Sequence, residues 1–239
     1  MNVEVKLEGG VARIFLNRPD KSNALNSRVL EDLRSALEIL LDNPGLRVVV
    51  LGGHGKAFCG GADVKELGEL TAENAGAFVE RIHKVCQAIR ALPVPVVARL
   101  HGAVIGAGLE IAAACDLRVA ATGTKFAMPE VRLGIPSVVE AALLPRLMGS
   151  GRAAWLVLTG EAIDARKALE WGLVEELAPD LDQGIENLLE KLLSAAPDAL
   201  RVQKCLLQLW DEAPLAASVA QSIEAFRNTI SSRLEGKKD

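Results

Sequence analysis

Tyrosine is absent from this 239-residue chain, and aromatic residues of any kind make up only 3% of it. Surfaces that stack nucleobases or sugar rings are built from such residues, so both classes of ligand are disfavoured. The same absence removes tyrosine as a catalytic acid. Histidine is scarce too: His54, His83 and His101 are too scattered to give the ligand spacing of a metal site. The four cysteines, Cys59, Cys86, Cys115 and Cys205, show no CxxC spacing. They read as reduced and mostly buried thiols of a cytoplasmic protein, not as a disulfide framework. Acidic residues outnumber basic ones, 31 to 27, and the net charge of −4 offers no footprint for nucleic acid or an acidic membrane. Arg28 and Arg34 on the first long helix are too sparse to form a basic comb for RNA. No apolar run approaches the roughly 18 residues of a membrane span. The opening Met1-Asn2-Val3-Glu4-Val5-Lys6-Leu7 alternates like a strand and resembles neither a signal nor a transit peptide.

What is present is an aliphatic core: half the residues are hydrophobic and about a quarter are charged. Val3–Leu7 and Val11–Leu16 alternate around Gly9-Gly10, as a β-hairpin does. Asn26 or Ser27 caps a helix with apolar positions at Leu30, Leu33, Leu37 and Leu40 or Leu41. Arg47–Leu51 and Val94–Leu100 are short apolar strands of the kind buried on both faces. A helix is predicted from about Thr71 to Leu92, another from Ala107 to Cys115, and a strand over Leu117–Ala121. Strand, glycine loop and helix alternate, which implies an α/β fold with crossovers on a largely parallel sheet. From Pro136-Ser137 onward the pattern is helical, with breaks at Gly149, Gly160, Gly172, Pro197 and Pro214. The reading is an α/β core over residues 1–177 and a helical region over 178–239.

Two glycine loops follow buried strands. One offers the N–H of Ala62 after Gly60-Gly61, the other that of Ala107 after Gly106. Either loop alone is an ordinary strand-to-helix connection. Together they suggest an oxyanion hole suited to a thioester carbonyl that becomes an enolate. Glu110, near the positive end of its helix, is expected to ionise readily and serve as base. Glu130, after Pro129 in an apolar segment, is expected to stay protonated and serve as acid. Taken by itself, Glu130 is equally a first-turn acid that balances a helix dipole. Asp63 reads as a turn cap, Lys65 as a solvated side chain and Asp116 as a backbone tie. A P-loop is absent, and Gly102–Gly108 lacks the GxGxxG spacing of a dinucleotide site.

Lys56-Ala57-Phe58-Cys59-Gly60-Gly61-Ala62-Asp63-Val64-Lys65-Glu66-Leu67 resembles the first signature of the enoyl-CoA hydratase/isomerase (crotonase) family. His101-Gly102-Ala103-Val104-Ile105-Gly106-Ala107-Gly108-Leu109-Glu110 resembles the second, and Phe126–Pro136 with Glu130 the third. Asn17-Arg18-Pro19 and Asn23-Ala24-Leu25-Asn26 also fit, so the match runs from about residue 3 to 177. The resemblance implies a spiral of repeated ββα units with a C-terminal helical layer that mediates assembly as a trimer or dimer of trimers. It implies an acyl-CoA substrate, no metal and no separate cofactor. The thioester oxygen would rest on the N–H groups of Ala62 and Ala107, and Ala24 and Ala62-Asp63-Val64-Lys65 would contact the substrate. Retention of both Glu110 and Glu130 implies hydration of a 2-enoyl-CoA. Isomerisation, decarboxylation or thioester hydrolysis on the same scaffold is the alternative, and a non-enzymatic RNA-binding relative is a third reading.

Three departures stand out. Ala107 replaces a glycine, which leaves the backbone donor intact. Ser137-Val-Val-Glu140-Ala-Ala-Leu143 replaces the glycine-rich stretch after Pro136, adds a third carboxylate near the pocket and is expected to reshape acyl specificity. The chain closes on Arg233-Leu-Glu-Gly-Lys-Lys-Asp239, without the family's usual closing AFxEKR pattern.

Overall fold

Val3–Glu8 (β1) and Val11–Leu16 (β2) form the expected antiparallel hairpin, with Gly9 and Gly10 at φ +57° and +80° in its turn. Positive φ at both turn positions is what a tight hairpin demands. The structure is a computed structural model and describes residues 2–235, so the closing Gly236–Asp239 lies outside the described residues. Helix α1 (Ser27–Leu41) begins where the Asn26 side chain accepts from Val29 N at 2.9 Å. Leu30, Leu33, Leu37 and Leu40 are buried while Leu41 is not, which settles the helix phase.

Val48–Gly53 (β3) is buried along its whole length and runs parallel to β2. After a short helix α2 (Val64–Gly68), α3 spans Ala75–Ala91, four residues later than the predicted start at Thr71. The delay has a local cause: the Asn74 side chain accepts from Thr71 N at 2.7 Å and holds residues 71–74 as a turn. Then come β4 (Val96–Leu100), β5 (Ala103–Ile105), α4 (Ala107–Ala114), β6 (Leu117–Ala121) and β7 (Lys125–Ala127).

Residues 134–138 form no helix, contrary to the expectation at Pro136-Ser137. A 3-10 turn at Glu130–Leu133 precedes them and a second at Val139–Leu143 follows, where Val139 sits at φ +39°. A β-branched residue in that region cannot continue an α-helix. Helix resumes at α5 (Leu144–Met148), with Pro145 in its first turn, and at α6 (Ser150–Thr159). Strand β8 (Ile163–Asp164), α7 (Ala165–Trp171), β9 (Glu176–Ala178), α8 (Leu181–Ser194), α9 (Pro197–Glu212) and α10 (Leu215–Glu235) complete the described chain.

The strands divide between two sheets. Six form β1-β2-β3-β4-β6-β9, parallel apart from the hairpin, and three form β5-β7-β8. Each of the consecutive pairs β4–β5 and β6–β7 is split, its first strand entering the large sheet and its second the small one. The Cys59 segment extends this pattern through a parallel bridge to Val104. This is the ββα repetition that the family resemblance implies. The main core packs α1, α3 and α4 on one face of the large sheet. Leu181, Ile185 and Leu189 of α8 cover the other face, against Val11, Val48, Val50, Val97 and Val119. A boundary at residue 177 therefore cuts through β9, and α8 packs as part of the core. Beyond it, Lys204 on α9 is buried and bonded to Asp116, whose Oδ2 also accepts from Val96 N at 2.7 Å. Asp116 is thus the backbone tie the sequence suggested. Exposed apolar side chains concentrate on α9 and α10, including Leu207, Trp210, Leu215, Ile223 and Phe226. Among the described residues no helix is long and apolar enough to cross a membrane.

Candidate active site

Between the two glycine loops lies a cavity of about 510 Å³. Leu67, Leu70, Phe78, Val79 and Ile82 form one apolar wall, and Leu133, Ile135, Pro136 and Val138 form another. Ala62 and Ala107 face it from the loops, and Glu110 and Glu130 are its charged lining residues. An elongated apolar pocket with a few convergent polar groups is the usual form of a small-molecule site.

Backbone pairing fixes the first loop. Leu25 N donates to Gly61 O at 2.8 Å and Asp63 N donates to Leu25 O at 2.9 Å, bonds that flank Ala62 and leave its N–H out of the pairing. In the second loop Gly106 N donates to Ala127 O at 2.9 Å, and Gly106 O receives Leu109 N and Glu110 N. The N–H of Ala107, at the start of α4, lies outside that pattern in the same way. The loops are stitched together, because Cys59 N donates to Ala103 O and Ile105 N donates to Cys59 O, both at 3.0 Å. Gly61 (φ +96°) and Gly106 (φ +51°) adopt backbone conformations that favour glycine. A Cβ on Gly61 would lie 2.9 Å from Ile105 O, and one on Gly106 would run into Glu130 Oε1. Close approach, not mere flexibility, is what these glycines provide.

Glu110 is 4% exposed, on a helix whose eight residues are all buried. Burial, then repulsion from Glu130, pushes its pKa up to about 8, with Glu140 adding to the rise and the Ala141 N–H opposing it. This reverses the sequence expectation that Glu110 ionises readily: desolvation outweighs the helix dipole. Glu130 is only half-buried, in the first 3-10 turn, and its Oε2 accepts from Ser137 Oγ at 2.9 Å. Glu110 is therefore the carboxyl that burial favours in its protonated form.

The raised value sets a stability prediction. The folded pKa lies above the ordinary 4.5, so the native state retains a proton that the unfolded chain has released. Below about pH 4.5 both states are protonated and burial costs nothing. Between about pH 4.5 and 8 the unfolded chain is ionised while the folded protein keeps its proton, so stability falls across that window and the loss is complete once the pH passes about 8. Glu110→Gln is therefore expected to match the wild type near pH 4.5 and exceed it above pH 8, by on the order of 5 kcal/mol. Thermal unfolding of both proteins across that range checks the sign.

Of the remaining predicted substrate contacts, one lines the cavity and three do not. Val64 lines the cavity mouth, whereas Ala24, Asp63 and Lys65 lie off its wall. Asp63 caps α2 by accepting from Lys65 N at 3.1 Å and pairs with Arg18 Nη1 at 3.0 Å. Burial works against the Asp63 charge, but Arg18 and the capped N–H outweigh it and hold the carboxyl below its usual range. Arg18 Nη1 also donates to Ala24 O at 2.7 Å. The Lys65 side chain is 87% exposed, the solvated group the sequence suggested. Glu140, expected beside the pocket, is instead buried behind Glu110 and does not line the cavity.

Sequence reasoning missed Asn23, Ser137 and the partner of Glu140. Asn23 is buried at φ +56°; its Nδ2 donates to His54 O and Ala57 O at 2.9 and 2.8 Å, and its Oδ1 accepts from Arg18 N. The turn-forming context of Asn23 was a signal for it. His83 carries none, since Glu140 lies 57 residues away, and Ser137 carries none because it meets Glu130 through an irregular turn with no characteristic spacing.

Two loop N–H groups and two carboxyls on one apolar cavity are an arrangement able to stabilise an enolate-like oxyanion, as acyl-transforming enzymes do. The chain is a member of the enoyl-CoA hydratase/isomerase family, whose model matches residues 6–238. It is 34% identical over 242 residues to the short-chain-enoyl-CoA hydratase of Clostridium acetobutylicum, covering 100% of this chain and 92% of that protein. It is 34% identical over 219 residues to the enoyl-CoA isomerase/hydratase fer4 of Mycosarcoma maydis, covering 87% and 80%. The crystal structure of enoyl-CoA hydratase from Bacillus anthracis superposes with a TM-score of 0.93 at 34% identity, covering 100% of this chain and 95% of that one. The fold is thus crotonase-like, and the chain is an enzyme of acyl-CoA metabolism.

Proposed function

We propose that this enzyme hydrates a trans-2-enoyl-CoA to the 3-hydroxyacyl-CoA. The observation that supports this reading best is the presence of two carboxyls, Glu110 and Glu130, on one cavity with both loop donors. The thioester oxygen accepts from Ala62 N–H and Ala107 N–H. Water held by the carboxyl pair adds its oxygen to C3, one carboxylate takes the water proton, and the protonated partner delivers a proton to C2. The electron pair of the double bond passes toward the thioester oxygen and returns as the C2–H bond forms. The pair needs one proton at rest, and the elevated Glu110 pKa of about 8 supplies it near neutrality. Because both acids share one water, this scheme requires one proton on the pair and leaves either carboxyl able to deliver it.

The scheme calls on no metal or redox cofactor, coenzyme A being part of the substrate. Ala24, Asp63, Val64 and Lys65 are proposed to contact the CoA portion at the rim, mainly through backbone. Assembly as a trimer or dimer of trimers through the C-terminal helices, in the cytoplasm, completes the proposal. The test is loss of the enone thioester absorbance of crotonyl-CoA and longer 2-enoyl-CoAs. Hydration of at least one chain length is expected. Inactivity over the whole panel, with turnover of a 3-enoyl-CoA instead, would replace hydration by isomerisation.

A further inference from the structure

Three oddities fall in consecutive residues behind the cavity. Val139 holds φ +39°, strained for a β-branched side chain. Glu140 is 8% exposed, with Oε2 buried and without a hydrogen-bond partner among the described residues. The Ala141 N–H is shared between Val138 O at 3.0 Å and Glu110 Oε1 at 3.3 Å. Strain and a buried charge persist only where the surroundings over-determine them. The surroundings here are α3, from which His83 Nδ1 reaches Glu140 Oε1 at 2.7 Å.

We infer that His83 and Glu140 are positioning residues for Glu110, a clamp that pins the 139–143 turn to α3 so that Ala141 N–H meets the Glu110 carboxyl. The inference rests on the hydratase reading for its kinetic consequences, though its geometry does not. Glu140 keeps the turn in its strained conformation through His83, and the turn presents a donor to one oxygen of Glu110. Glu140 also acts through its charge, which helps keep Glu110 protonated. The titratable groups facing this cluster are Glu130 from the first 3-10 turn, Cys86 from α3 and Cys115 after α4. Of these, Glu130 acts in the same direction as Glu140. On α3 itself, Glu80 and Lys84 flank His83 and pair with each other at 3.0 Å.

Three variants test the clamp. His83→Ala frees the turn and is expected to lower kcat with KM nearly unchanged, by up to about 10²-fold, the scale of a 1 Å misplacement. His83→Asn places an amide donor near the lost Nδ1 and is expected to restore most of that loss. Glu140→Gln keeps the shape and removes the charge, so the Glu110 titration should move to lower pH. That titration is read without turnover, from the infrared C=O stretch of the protonated acid, with Glu110→Gln as the blank. Wild-type kcat in His83→Ala, or an unmoved Glu110 titration in Glu140→Gln, overturns the inference. If the titration moves but the wild type hydrates no enoyl-CoA, the clamp stands and the hydratase reading falls. If the wild type hydrates and the titration stays put, the reverse holds.

Discussion

Glu110→Gln is expected to lower kcat for enoyl-CoA hydration by about 10²–10⁴-fold, the range of a lost general acid–base group. The amide keeps the size and polarity of the carboxyl and can neither accept nor release the required proton. Glu130→Gln should cost a similar factor. The double variant should be little worse than either single one, because groups that act as a unit are not additive. The wild-type rate should also fall as pH rises through about 8, where Glu110 loses its proton, and Glu110→Gln should lack that limb. Initial rates of crotonyl-CoA absorbance loss between pH 5 and 9 give all of these readings. The variant is expected to be at least as stable as the wild type, so unfolding does not account for its loss. Activity indifferent to both substitutions would remove the carboxyl pair from the mechanism.

The second large effect is expected from Ala107→Pro. Ala107 is the first residue of α4, a position where proline is well tolerated because its missing N–H has no helical partner. The substitution therefore removes one proposed oxyanion donor with little cost to the helix. A loss in kcat of about 10²–10³-fold is expected, the scale of one deleted donor. The diagnostic comparison is with Ala107→Gly, which keeps the N–H and should retain most of the rate. A proline variant that folds, measured by circular dichroism, and turns over normally would place the thioester oxygen elsewhere.

Much of this site was legible because its parts announce themselves locally. Glycines before Ala62 and Ala107 mark close approach, and two acids in apolar company mark chemistry. The hairpin, α1 and the buried strands β3 and β4 were equally clear from alternation, capping and apolar runs. Strands β5, β7 and β8 escaped notice, since two or three residues carry no periodicity and are defined only by partners far along the chain. The protonation of Glu110 was misread for a related reason. The helix dipole is visible in sequence, whereas burial of all eight residues of α4 is a product of the whole fold. His83 and Glu140 are 57 residues apart, and only packing of α3 against the 139–143 turn brings them together. Val139 could not be anticipated either, because nothing in its local sequence asks for a left-handed residue.

The stitching of Cys59 to Ala103 and Ile105 ties the two loop donors to each other through main-chain pairing. The apolar wall side chains Leu67, Val79 and Leu133 make none of these bonds. The acyl pocket can therefore be recut, by exchanging Leu67, Val79 or Leu133 for larger or smaller residues, while the seat of the carbonyl stays where it is. On the proposed hydratase reading, selectivity for chain length and polarisation of a thioester are separable in this molecule. A change in one can accumulate without retuning the other.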